Sequence, residues 1–155
     1  KPIRDRGGRR VEIHTIGFTQ KNAAEFFDAL RRAGIRRLID VRLNNTSQLA
    51  GFAKRDDLRY FLREICGAEY VHLPELAPTK EILDGYKKKQ IGWAEYETLY
   101  RALLAERKVE NAVDRRLFDS PVVLLCSEPT AECCHRRLAA EYLAEKWGDV
   151  KTVHL

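Results

Sequence analysis

The chain has 155 residues, 45% of them hydrophobic and 33% charged, with 28 basic side chains against 23 acidic ones. That is long enough for one domain with a full core, and the balance is that of an ordinary soluble globule. No apolar run reaches membrane-spanning length, so no membrane partner is expected, and neither an internal repeat nor a low-complexity tract is present.

The four cysteines, Cys66, Cys126, Cys133 and Cys134, are unevenly spaced and match neither a disulfide framework nor a zinc-finger pattern. A reducing, cytoplasmic setting is the expectation, with no signal peptide before the first strand. The absence of Met implies that the natural start is missing or processed. The net charge of +5 is mild. Basic residues cluster at Arg4 to Arg10, Arg31 to Arg37, Lys87 to Lys89 and Arg115–Arg116. Acidic residues interrupt these runs, and no nucleic-acid motif accompanies them, so weak nucleic-acid binding at most is expected.

Residues 1–10 read as a polar tail, and residues 11–155 as a single α/β domain. Val11 to Ile16 predicts a first strand, closed by Gly17. Thr19 or Asn22 caps a helix with Ala23, Phe26, Phe27, Leu30 and Ala33 at apolar spacing, ended by Gly34. Leu38 to Leu43 predicts the second strand, and a polar loop, Asn44 to Gln48, follows it. The next helix turns Leu58, Phe61, Leu62 and Ile65 inward and ends at Gly67. Tyr70 to Leu73 predicts a third strand. Between about 75 and 119 the alternation lapses into a helical insertion. One stretch there carries Ile82, Leu83 and Tyr86. A longer one carries Trp93, Tyr96, Tyr100, Leu103 and Leu104. Val122 to Cys126 and Val150 to Leu155 complete a mainly parallel five-stranded sheet in a three-layer domain.

The segment from Val122 to Arg137 holds most of the chemistry. An unbroken apolar run predicts a strand buried on both faces, and Pro129 and Thr130 then open a helix. Cys126 ends the strand, while Cys134, His135 and Arg136 fall on the first turns of that helix. Leu138, Ala139, Tyr142 and Leu143 form its apolar arc. Cys134 and His135 lie on or beside the arc and can meet Cys126, whereas Cys133 and Arg137 point away.

A thiolate at a helix N-terminus, near Arg136 and His135, would be an activated nucleophile. Glu128 and Glu132 push the other way, and the loop lacks the glycines of an anion nest. An unreactive Cys126 thiol is therefore expected. Three metal ligands at best come from this segment, so no metal and no cofactor is predicted. Asp40 and Arg42, two apart on a strand, share a face, as a salt-bridged pair or as an anion clamp that Asp40 orients. Gly17 and Thr19 offer close backbone approach and a hydroxyl donor.

Thr15-Ile-Gly-Phe-Thr19, Ile39-Asp-Val-Arg42, Tyr70-Val-His-Leu-Pro74, Leu125-Cys-Ser-Glu128 and Cys134-His-Arg136 together resemble the domain of unknown function 488 family, in order from about Val11 to Leu155. The resemblance implies an α/β fold and a site at these motifs, but no reaction. Phe18 and Thr19 stand where the family commonly has His-Ser, and Leu76-Ala-Pro where it has Leu-Gly-Gly. If that His takes part in the chemistry, activity here is lost or changed. Leu38 to Arg42 and Val122 to Cys126 are also faintly similar to the rhodanese-like fold.

The leading expectation is a site at the carboxyl edge of the sheet that binds a small anionic or nucleotide-like ligand. Gly17, Thr19, Asp40, Arg42, Ser47, Glu128 and Arg136 would bind it, over a floor of Cys126, Cys134 and His135 as the catalytic candidates. A thiol enzyme of sulfurtransferase or phosphatase type, using Cys126, is the first alternative. A nucleic-acid-binding accessory domain is the second.

Overall fold

Residues 11–45, 51–128 and 131–155 are described by the computed structural model. The polar tail, Ser47 and the expected cap at Pro129–Thr130 lie outside those residues. Five strands, β1 (Val11–Gly17), β2 (Arg37–Asp40), β3 (Glu69–His72), β4 (Val122–Cys126) and β5 (Val150–His154), form one sheet in the order β3-β2-β4-β1-β5. Every pairing is parallel. The α/β architecture expected from the alternating pattern is the one observed.

β4 lies at the centre, and all five of its residues are buried. Val122, Leu124 and Cys126 turn to one core, Val123 and Leu125 to the other. An unbroken apolar run is what a strand covered on both faces needs.

One face is covered by α1 (Ala23–Arg32) and α2 (Arg55–Phe61). Asn22 caps α1 in a capping box: its side chain accepts from the Glu25 N–H at 2.8 Å, and its own N–H donates to the Glu25 carboxylate at 3.1 Å. Phe26, Phe27 and Leu30 carry the packing, while Ala23 is exposed. Beyond α2 the chain widens into a π turn, Leu62–Cys66. That wider turn rotates the apolar face, so Leu62 is buried whereas Ile65, expected inside, is 41% exposed.

The other face carries α3 (Lys80–Lys87), α4 (Trp93–Arg107), the short α5 (Val109–Ala112) and α6 (His135–Trp147). Tyr96, Tyr100 and Leu104 recur every fourth residue on the buried side of α4. Trp93, one turn earlier, is only half-buried. Fully burying a large apolar side chain stabilises by roughly 1.5–3 kcal/mol, so this stripe anchors the helical segment to the sheet.

Two boundaries differ from the sequence reading at places that matter. β2 stops at Asp40 instead of Leu43. The Arg42 N–H, which would continue the ladder, is taken by the Asp40 side chain at 3.1 Å. The last helix starts at His135, because Cys134 is extended (φ −141°, ψ 137°) and serves as its N-cap.

The strand order creates a crevice. The loops after β1 and β2 lead to α1 and α2 on one face, and the loop after β4 leads to α6 on the other. Neighbouring loops that part in this way leave a gap at the carboxyl edge, where ligands of open α/β sheets bind. Cys126 is the last residue of the strand beneath it.

Candidate functional site

A cavity of about 740 Å³ opens over that edge. Cys126, Cys134 and His135 line it, with Thr19, Arg42 and Glu128 from the neighbouring loops. Tyr86, Lys87, Lys89, Trp93 and Tyr96 form the opposite wall. Trp93 and Tyr96 stack with centroids 4.9 Å apart and planes at 17°. Cationic groups and flat rings thus face a thiol floor.

Cys126, Cys134 and His135 are all buried, and their donor atoms lie within 4.8 Å of one another. The His135 Nε2–H donates to the Val41 carbonyl at 2.7 Å. Nδ1 stands 3.4 Å from Cys126 Sγ. The sulfur is nearly as close to Nε2, at 3.7 Å, so it faces the ring between the two nitrogens. Tyr100 fixes the ring from the side, edge-on at 5.5 Å.

The Cys126 thiol is held below its ordinary range. The Cys134 S–H donates to it, outweighing the cost of burial, and the backbone N–H groups of Ser127 and Glu128 and the charge of Arg136 add to the effect. Cys134 is pushed well up by burial and by its bond to Cys126, so it stays protonated. The direction of this shift is opposite to the one expected from Glu128 and Glu132. Both of those residues are exposed, where water screens their charge, while the Glu128 main chain turns its N–H toward the sulfur.

Arg136 is wholly buried, not presented to a ligand. Its Nη1 donates to the Glu128 carbonyl at 2.6 Å, while Nε and Nη2 have no hydrogen-bond partner among the described residues. A cation without water or a hydrogen-bonded carboxylate is costly. The Arg136 charge acts on the nearby Cys126 thiol, favouring the ionised form. Gly17 makes room for this arrangement: a Cβ there would collide with the Glu128 carbonyl and lie 2.9 Å from Arg136 Nη1. Thr19 ties the same loops together, its N–H donating to the Ser127 carbonyl at 3.1 Å and its hydroxyl bonding the same oxygen.

Asp40 and Arg42 form a bidentate pair, both bonds 2.9 Å, at 0% and 4% exposure. The Arg42 guanidinium also donates to the Ala53 carbonyl at 2.8 Å and lies over the Phe18 ring. Tyr70 donates to Asp40 Oδ2, the oxygen that Arg42 Nη2 also bonds, at 2.6 Å. The pair is chiefly a structural clamp that places one edge of Arg42 on the cavity wall. Asp40 itself is buried behind it.

The family model described as Domain of unknown function DUF488 matches residues 22–143. The chain belongs to the DUF488 family. The matched span contains Asp40–Arg42, Cys126–Glu128 and Cys134–Arg136, so the thiol floor and the clamp both lie within the DUF488 domain. No curated protein and no solved structure matches. Among the described residues no helix is long and apolar enough to cross a membrane.

Sequence reasoning missed the far wall of the cavity. From the sequence Lys87 and Lys89 are only one of several basic runs; the core reading of Tyr96 holds at 2% exposure, while Trp93 is half-buried on the cavity wall. The available signal was adjacency: the basic run immediately precedes a helix that begins with Trp93. The remaining basic runs are partly paired, Arg31 with Asp28, Arg37 with Glu69 and Arg116 with Asp114.

Proposed function

We propose that this DUF488 domain is a thiol-dependent enzyme that takes a small anionic substrate into the edge cavity and attacks it with Cys126. The observation that carries the reading is the setting of Cys126 Sγ. It meets His135 Nδ1 at 3.4 Å, receives the N–H groups of Ser127 and Glu128, and lies in the field of buried Arg136. Donors converging on a sulfur at a cavity floor stabilise a thiolate, which is the nucleophilic form. His135, oriented by Val41, is the proton carrier beside it. Lys87 and Lys89 favour an anionic substrate, and half-buried Trp93 offers a flat ring a surface, as a nucleotide-like molecule would use.

The same three donors could hold a soft metal, since ligands of a tetrahedral zinc lie roughly 3.5–4 Å apart. Arg136 weighs against that use, because its buried positive charge repels a dication and already balances one thiolate.

Alkylation of the reduced protein by iodoacetamide across pH tests the proposal, with exposed Cys133 as the internal control. Cys126 should label faster than Cys133 at and below neutrality, and small phosphate- or carboxylate-bearing molecules should slow it. Labelling of Cys126 no faster than Cys133 at any pH would reduce the site to a binding pocket.

A further inference from the structure

Resting on that reading, we infer that Cys134 is a second catalytic thiol, that Cys126 and Cys134 close to a disulfide during turnover, and that the substrate is a small disulfide carrying acidic groups. The inference begins with what stands nearest to any adduct on Cys126. Cys134 is 2% exposed, and its sulfur lies within 4.8 Å of both Cys126 Sγ and the His135 ring. For an acyl or phosphoryl adduct, a second thiol at that distance would compete with water for the intermediate. For a sulfur adduct it is the group that completes the reaction.

The two thiols are also unequal in the required sense. The Cys126 thiol is shifted toward ionisation and the Cys134 thiol away from it. Cys133, the adjacent residue, is exposed on the cavity wall and is not part of the buried cluster. The cavity, about 740 Å³ with Lys87 and Lys89 on its wall, is far larger than a peroxide needs and fits an acidic organic disulfide.

The steps balance. The Cys126 thiolate attacks one sulfur of R–S–S–R. The S–S bond breaks, and its electron pair leaves with one RS⁻, which takes a proton from solvent at the cavity mouth. Cys134 then gives its proton to His135 Nδ1 and attacks Cys126 Sγ. The second RS⁻ leaves with that proton from His135. The substrate is reduced by two electrons to two thiols, and the cysteines are oxidised to one disulfide. An external thiol reductant resets the pair by exchange.

The test uses the full reduced chain and oxidised glutathione as the probe, read by mass spectrometry of digests. Wild type should give a Cys126–Cys134 linkage and release both halves of the probe as thiol. Cys134→Ser should stop at the mixed disulfide on Cys126, with Cys134→Ala as a second variant if the first folds poorly. Cys133→Ser should behave as wild type. A wild-type protein that stops at the mixed disulfide, or that links through Cys133, would overturn the role of Cys134. Linkage formed with hydrogen peroxide but not with oxidised glutathione would overturn the substrate class. Fast alkylation of Cys126 without the linkage removes this inference alone; slow alkylation removes the nucleophile as well.

Discussion

His135 donates its Nε2–H to the carbonyl of Val41 at 2.7 Å, and this one bond holds the ring whose two nitrogens lie 3.4 Å and 3.7 Å from Cys126 Sγ. The Cys126 thiol is lowered chiefly by Cys134, with the Ser127 and Glu128 N–H groups and Arg136 adding to the effect. In the proposed reaction the part of His135 is to move a proton. Replacing His135 with Asn should therefore leave the pH midpoint of Cys126 alkylation nearly unchanged. Closure of the Cys126–Cys134 bond should slow by about 100-fold, the lower end of what a positioned base contributes. Stopped-flow labelling and timed mass spectrometry separate the two effects.

Arg136 acts on ionisation itself. Arg136→Met keeps the length of the side chain and removes a cation whose Nε and Nη2 lack partners. The Cys126 sulfur then loses a neighbouring cation, so the alkylation midpoint should move upward. Labelling at neutral pH should fall about tenfold. An unchanged midpoint would show that the backbone N–H groups and Cys134 suffice.

The depressed thiol of Cys126 also makes stability depend on pH. A group whose folded pKa lies below its unfolded value of 9.0 contributes stability that is complete above 9.0 and is lost as pH falls through the folded value. Cys134, shifted upward, is protonated in both states below 9.0 and is silent there. The stability of wild type relative to Cys126→Ser should therefore rise from neutrality toward pH 9. Urea unfolding at several pH values checks the sign, and a difference that falls with pH would contradict the shift.

Asp40 is the buried partner of a buried cation. Asp40→Ala leaves Arg42 without its carboxylate at 4% exposure and strips Tyr70 of its acceptor. Breaking a buried pair from one side costs about 3–5 kcal/mol. Denaturant unfolding should show a loss of that order, and Tyr70→Phe a smaller one.

Adding a zinc chelator should leave the rate of Cys126 alkylation unchanged. A rate that rises on chelation would mean that metal had covered the Cys126–Cys134–His135 group.

Much of the frame was legible because it is written in local pattern. The run Val122–Cys126 could only be a strand covered on both faces, and the helical positions of Cys134 and His135 placed them against it. The clamp was legible because residues two apart on a strand share a side. The electrostatics were not. Arg136 carries a long polar side chain that usually reaches solvent, and only the absence of a Cβ at Gly17 lets it lie inside. The turn that aims the Ser127 and Glu128 N–H groups at sulfur has no glycine to announce it. The start of α6 was misplaced because Pro129 and Thr130 are strong helix openers in isolation, whereas the backbone at Cys134 is extended. Nor could spacing reveal that α3 and the first turn of α4 fold over an edge formed by distant strands.

That last feature divides the site by origin. The thiol floor hangs from β4 and α6, whereas the wall bearing Tyr86, Lys87, Lys89 and Trp93 belongs to the stretch just ahead of them in sequence. Selectivity and reactivity are therefore separable parts. Exchanging residues 80–96 between relatives should retune which molecule is admitted while leaving the sulfur chemistry intact, so the wall is the natural place for a library aimed at new substrates.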